Sequence, residues 1–347
     1  MKELLKELVE TPGVSGDEGR VREKIIEEVE DHADAIEQDG MGNLIVRRGS
    51  GDSTLMIAAH MDQIGLCVKR ITEEGFLKVS KVGGIHPRNL MDQNVMVHGK
   101  DNRVQGIVSA KPIHIIDSKD RKKVPDMEDV IIDIGAESKE EAREMGVRVG
   151  DYITFDKGMR ELGNDYVTAP AFDDRVGCLV AIEALKRFDE DFELVVVFNG
   201  QEEVGRKGAQ TSSFQVDPDA AIAVDVTVAG DSPFIDNDAS TASLGGGFGI
   251  DLIQNGGRGF ITPRSMKDWL VETAESNEHD YQLMVDIGGA TEAGVINLVR
   301  EGIPSASLAV PARNIHSSVE VVKLSDIEDA IDFLDDAFST FSGSVHG

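Results

Sequence analysis

Glu202 and Glu203 are adjacent carboxylates that follow an apolar run, Leu194 to Phe198. Neighbouring anions repel each other unless a cation or a proton separates them. One simple arrangement gives one glutamate to a metal and leaves the other to handle protons. A Glu-Glu pair alone more often marks a solvated surface, so its meaning depends on partners. His60 with Asp62, Asp173, Asp225 and His316 supply them, each at the end of an apolar stretch or in an adjoining loop. Imidazole nitrogen and carboxylate oxygen, with no thiolate, suit Zn²⁺, Co²⁺ or Mn²⁺. Two metals a few ångströms apart are helped by a shared anion, and a carboxylate can bridge them. Any one of these residues alone would more often be structural. Their joint occurrence at strand ends is what points to a site.

The elements that must position them follow from the hydrophobic pattern. Leu194 to Phe198 reads as an interior strand of a parallel sheet, where ligands gather at the carboxyl ends. Leu44 to Arg47, Leu55 to Ala59, Ala220 to Val224 and Ser305 to Val310 read as further strands. Helices are expected at the N-terminus around Leu4, Leu5 and Leu8, and over Gly19 to His32, Val176 to Phe188, Pro263 to Glu275 and Leu324 to Phe341. Ser15-Gly-Asp-Glu18 has the form of a capping box for the second helix. From Leu66 to about Val167 the character changes to short strands punctuated by Gly and Asp, with one helix at Ser138 to Met145. The expected fold class is therefore α/β, a mixed sheet flanked by helices with an inserted small β-rich domain, in form a barrel. The expected division is 1–66 and 165–347 for the site-bearing domain, and 67–164 for the insert.

Composition removes several functions. The 64 acidic residues outnumber the 35 basic ones, for a formal charge of −29, so nothing balances a nucleic-acid polyanion. The acid is spread along the whole chain, which suits a protein soluble at high salt and points to a halophilic source. Ser118 to Val124 is a local basic cluster in this acidic chain and reads as a solvated loop. The two cysteines, Cys67 and Cys178, stand in apolar settings far apart in sequence, with no disulfide framework. No run is long and apolar enough to span a membrane, and the N-terminus has no signal-peptide pattern, so a cytoplasmic location is expected.

Ala59-His-Met-Asp-Gln-Ile-Gly65, Ala171-Phe-Asp-Asp-Arg-Val-Gly177, Gln201-Glu-Glu-Val-Gly205, Val224-Asp-Val226 and Asn314-Ile-His-Ser317 together resemble the M42 peptidases, the tetrahedral (TET) metallo-aminopeptidases. The resemblance covers nearly the whole chain. It implies a di-metal exopeptidase fold, a hollow homododecamer, and removal of N-terminal residues from peptides with a free N-terminus. It implies two divalent ions, Zn²⁺ or Co²⁺, per subunit. Asp173 would bridge them, with His60 and Asp225 completing one site and Glu203 and His316 the other. Glu202 would be the general base and acid, and Asp62 would hydrogen-bond the far nitrogen of His60.

The chain departs from the family pattern at Ala290-Thr-Glu-Ala293, where an aspartate is usual, and at Asn314, Ser318 and Gly246. None of these is an implied ligand. All bear on substrate preference. A di-zinc N-acyl amino acid deacylase is the nearest rival, but its extra domain lies between the last two ligands, not between Asp62 and Asp173. An endoglucanase-type hydrolase using Glu202 and Glu203 is disfavoured, because adjacent residues do not easily flank a sugar bond. Aromatic residues are 5% of the chain and Trp269 is the one tryptophan, which leaves little surface for stacking sugars. A non-catalytic scaffold would have no use for a full ligand set plus a spare carboxylate.

Overall fold

The computed structural model describes residues 1–109, 111–117, 122–235, 240–285, 288–343 and 345. A nine-stranded mixed sheet runs in the order Ala35–Gln38, Leu44–Arg48, Glu193–Asn199, Thr54–His60, Ala220–Val228, Ser305–Ala312, Phe248–Gln254 and Phe260–Ile261, with Tyr281–Val285 pairing beside Phe248–Gln254. Glu193–Asn199, Thr54–His60, Ala220–Val228 and Ser305–Ala312 are parallel to their neighbours in this group. Their carboxyl ends therefore lie along one edge. In Thr54–His60, Leu55, Ile57 and Ala59 pack into one helical layer, and Met56 and Ala58 into the other. Both faces are covered, which is why the run lacks polar alternation.

The first layer holds Lys2–Glu10, Gly19–Val29, Phe172–Arg187, Arg264–Ser276 and Leu324–Thr340. Phe172–Arg187 is the central helix, buried from Phe172 through Ile182. At its start Arg175, fully buried, donates from Nη1 to the carbonyls of Leu8 and Thr11 and from Nη2 to Gln63 Oε1. A cation thus meets the orphan carbonyls at the end of the first helix.

Two elements of the sheet's surroundings are not readable from periodicity. Lys207–Val216 is a helix whose buried side is Gly208, Ala209, Ser212, Ser213 and Val216. Small residues let it lie close to the sheet but give it no apolar stripe. Phe248–Gln254 is a strand interrupted in hydropathy by Gly249 and Asp251. The capping box is a correction. Ser15 Oγ donates to Asp62 Oδ2 at 2.6 Å, Glu18 Oε1 accepts from Gly16 N and Gln201 N, and the helix Gly19–Val29 has no side-chain cap. The buried Asp62 carboxylate competes for the serine and wins it.

A closed six-stranded barrel follows the order Gly65–Ile71, Leu77–Val82, Ile131–Asp133, Arg103–Ser109, Asn94–His98 and Tyr152–Phe155. It has its own core, including Leu66, Val68, Leu77, Val97, Ile132 and Ile153. Arg103–Ser109 alternates inward Val104, Gly106 and Val108 with outward neighbours, as a barrel wall requires. The helix Lys139–Glu144 is capped by Ser138 Oγ, which accepts from Glu141 N at 3.2 Å. A separate three-stranded sheet joins Arg160–Leu162, Tyr166–Ala169 and Glu320–Lys323. Part of the basic cluster, residues 118–121, lies outside the described residues. Among the described residues no helix is long and apolar enough to cross a membrane.

Candidate metal centre

The parallel strand ends deliver the charged residues to one place. His60 is the last residue of Thr54–His60, and Asn199, its partner in register, ends the strand that leads to Glu202 and Glu203. Asp225 lies near the end of Ala220–Val228, and Ser305–Ala312 leads to His316. Asp173 sits at the start of the central helix with non-helical backbone angles.

His60, Asp173 and Asp225 each offer a ligand atom within 4.8 Å of one another, and so do Asp173, Glu203 and His316. Asp173 belongs to both groups. Its Oδ1 is 3.1 Å from His60 Nε2 and its Oδ2 is 3.3 Å from His316 Nε2. Each histidine is oriented from behind. His60 Nδ1 is 3.1 Å from the Asp62 carbonyl oxygen and 3.5 Å from Asp62 Oδ1. His316 Nδ1 is 3.2 Å from the carbonyl of Gly84. With Nδ1 on a carbonyl, Nε2 is free to face the centre.

Asp62 also fixes the glutamates. It is wholly buried, and the backbone N–H groups of Glu202 and Glu203 donate to its Oδ1 and Oδ2 at 2.8 and 3.2 Å. Glu202 Oε2 lies 4.0 Å from His60 Nε2 and belongs to neither ligand group. The structure thus brings together Glu202, His60, Asp173, Glu203, Asp225 and His316 on the wall of one cleft, with Asp62 behind them.

Three further carboxylates, none of them an implied ligand, complete the frame. Glu320, 1% exposed, accepts from Asp173 N at 3.1 Å and from His316 N at 2.9 Å. Asp174 accepts from His60 N and Gly177 N. Glu292, in the departing Ala-Thr-Glu-Ala stretch, accepts from Asn199 Nδ2 at 2.9 Å, and burial pushes its carboxyl up to about 7. The available signal for Glu320 was an acid inside a short apolar strand directly after the His316 loop.

The electrostatics suit divalent cations. Burial pushes the carboxyls of Glu202 and Asp225 well above the usual range, and neighbouring carboxylates add to it. Burial opposes charge on His316, but Asp173 and Glu203 together raise it to about 11. Glu203 Oε1 is buried, forms no well-directed hydrogen bond among the described residues, and lies 3.3 Å from His316 Nε2. No lysine or arginine lines this cleft among the described residues. Crowded oxygen and imidazole donors, one carboxylate common to two groups and an undersatisfied buried oxygen fit divalent metal ions.

Comparison with known proteins agrees. The family model described as M42 glutamyl aminopeptidase matches residues 42–333. The lysyl aminopeptidase of Pyrococcus furiosus is 34% identical over 95% of this chain and 94% of its own length. Aminopeptidase APDkam598 from Desulfurococcus kamchatkensis superposes with a TM-score of 0.93 at 39% identity, covering 96% of this chain and 93% of its own. The Pyrococcus horikoshii TET1 peptidase, described as assembling into a tetrahedron or a large octahedral shell, superposes with a TM-score of 0.87 at 36% identity, over 96% and 98% of the two chains. The chain belongs to the M42 peptidase family and is an aminopeptidase, a hydrolase of peptide bonds.

Proposed function

We propose that this aminopeptidase works with two divalent ions, Zn²⁺ or Co²⁺, one held by His60, Asp225 and Asp173 and the other by Glu203, His316 and Asp173. When bound, such ions supply Lewis acidity to water and to the scissile carbonyl. Glu202 takes the proton from the attacking water and returns it to the leaving amine. Asp62 holds the Glu202–Glu203 turn by its backbone and keeps His60 in one tautomer. The substrate's free α-amino group is drawn to the acidic wall of the cleft, which restricts cutting to N-termini. The observation that carries this reading is one carboxylate, Asp173, common to two ligand groups, with Glu202 beside them and outside both.

The reading extends to the whole molecule. The segment 67–164, with its barrel, holds subunits together in a homododecamer. The tetrahedral assembly described for the Pyrococcus horikoshii relative supports this, since tetrahedral rotation relates twelve copies. The thiols of Cys67 and Cys178 are free, which accords with a reducing cytoplasm. The test of the metal centre is chelation. Dialysis against a chelator should abolish cleavage of an aminoacyl p-nitroanilide, and added Zn²⁺ or Co²⁺ should restore it. Undiminished turnover by metal-free protein overturns the mechanism.

A further inference from the structure

Of the residues in the two ligand groups, His316 depends most on its loop. Its side chain is 35% exposed, against 11% or less for His60, Asp173, Glu203 and Asp225. Its backbone and that of Asn314 are both left-handed, with φ of 61° and 58°. Residues other than glycine keep that conformation only where their surroundings impose it. One set of contacts comes from the loop itself and the strand that follows. Glu320 Oε1 accepts from His316 N at 2.9 Å, and Asn314 Nδ2 donates to the Val319 carbonyl at 3.2 Å. The other set comes from the barrel side. Asn89 Nδ2 donates to the His316 carbonyl at 3.4 Å, and the Gly84 carbonyl meets His316 Nδ1. Two residues on, Ser318 Oγ accepts from Lys157 Nζ at 2.8 Å and donates to Gln93 Oε1 at 3.1 Å. Lys157 lies two residues after the barrel strand Tyr152–Phe155, and Gln93 directly before Asn94–His98.

Lys157 is the unusual member of this set. It is half-buried, and it forms no ion pair among the described residues of a chain that carries 64 acids. Burial, with Arg160 adding to it, holds its pKa below the ordinary lysine value. An ammonium kept from water costs free energy unless it gains a partner. The partner here is the hydroxyl of a residue only 3% exposed. A charged donor makes the stronger kind of hydrogen bond. By taking one lone pair of Oγ, it leaves the Ser318 proton to point at Gln93. Ser318 is thus fixed by two barrel-side segments at once. It is also one of the positions where the chain departs from the family pattern, so the link is not part of the shared motif.

We propose that Lys157 is a positioning residue for the metal group of Asp173, Glu203 and His316, holding the His316 loop through Ser318. This rests on the metal centre assigned under the proposed function. His60 and Asp225 stand on strands of the central sheet, so a slackened His316 loop leaves their group in place.

The test removes the donor and keeps an unbranched stem. Lys157→Met protein, freed of metal, is titrated with Zn²⁺ by calorimetry beside the parent. One ion should bind roughly 10- to 100-fold more weakly, the usual scale for partners that orient a ligand, and the other should stay within about twofold. Ser318→Ala should give the same result, and the double variant no more than either alone, because each removes the same link. Equal weakening of both ions, or of neither, overturns the proposal. A Lys157 that merely supports the fold would lower the melting temperature of metal-free protein and weaken both ions together, and that result overturns it too. Hydrogen exchange on metal-free protein reads the loop without any ion. Lys157→Met should speed exchange over residues 314–319 and leave the rest of the chain as in the parent; unaltered exchange in the loop overturns the proposal. If the parent takes up fewer than two ions while loop exchange still rises in Lys157→Met, it is the two-ion reading that fails, and the hold of Lys157 on the loop stands.

Discussion

Glu202 and Glu203 show how two identical neighbours acquire different work. Both backbones are tied to Asp62, yet only Glu203 joins a ligand group. Glu203→Gln should therefore reduce metal content at one site, measured by emission spectroscopy, and lose activity for that reason. Glu202→Gln should keep both ions and the fold while turnover falls by roughly 10²-fold or more, the usual scale for removing a general base. The opposite pattern of metal loss reverses the assignment. At this scale the sequence was legible where chemistry and strand ends coincide, as at His60 and Asp225. It was silent at Glu320 and misleading at Ser15, because their work is to satisfy N–H and carboxylate groups that only the folded chain brings within reach. Ser15 in fact offered a plausible local partner in the wrong place.

Among the elements, the barrel is not remote from the centre. The loop after Leu77–Val82 carries Gly83 and Gly84, and the Gly84 carbonyl meets His316 Nδ1. A Cβ on Gly84 would lie 2.5 Å from that nitrogen, closer than real Cβ contacts come. Gly84→Ala should therefore tilt His316 and weaken metal binding at the site of Asp173, Glu203 and His316, seen as a shifted Zn²⁺ titration. The melting temperature of metal-free protein should change little, since Gly84 belongs to neither hydrophobic core; a Zn²⁺ titration identical to the parent's removes the argument. The barrel strands were legible from their length and Gly/Asp punctuation. The helix Lys207–Val216 was not, because a helix that approaches a sheet through Gly, Ala and Ser shows no apolar period.

For the whole molecule, the dominant fact is a formal charge of −29. Self-repulsion of this size weakens the compact state at low ionic strength and is screened within about 10 Å at 0.1 M salt. Raising NaCl from millimolar to molar should raise the melting temperature, and light scattering over the same range should show the dodecamer mass retained at the high end and subunits released at the low end. A melting temperature flat in salt would remove the halophilic reading, and a monomer at every concentration would remove the dodecamer. The two outcomes are linked, because a subunit of this charge that repels its copies at low salt would join them in the proposed assembly only when counter-ions are plentiful.

The order of strands in the central sheet has a consequence for synthesis. Thr54–His60 is flanked by Glu193–Asn199 and Ala220–Val228, and by nothing made earlier. As the chain leaves the ribosome, an apolar segment that ends fully enclosed must wait, both edges unpaired, while the whole barrel emerges and closes around its own core. Such a waiting edge is where a nascent chain aggregates or is met by a chaperone. All six barrel strands are translated before Glu193, but Thr54–His60 is not enclosed on both edges until Ala220–Val228 has been translated. The metal centre is later still, since His316 lies beyond it, so the last side chain to arrive at the centre is also among the last to be made.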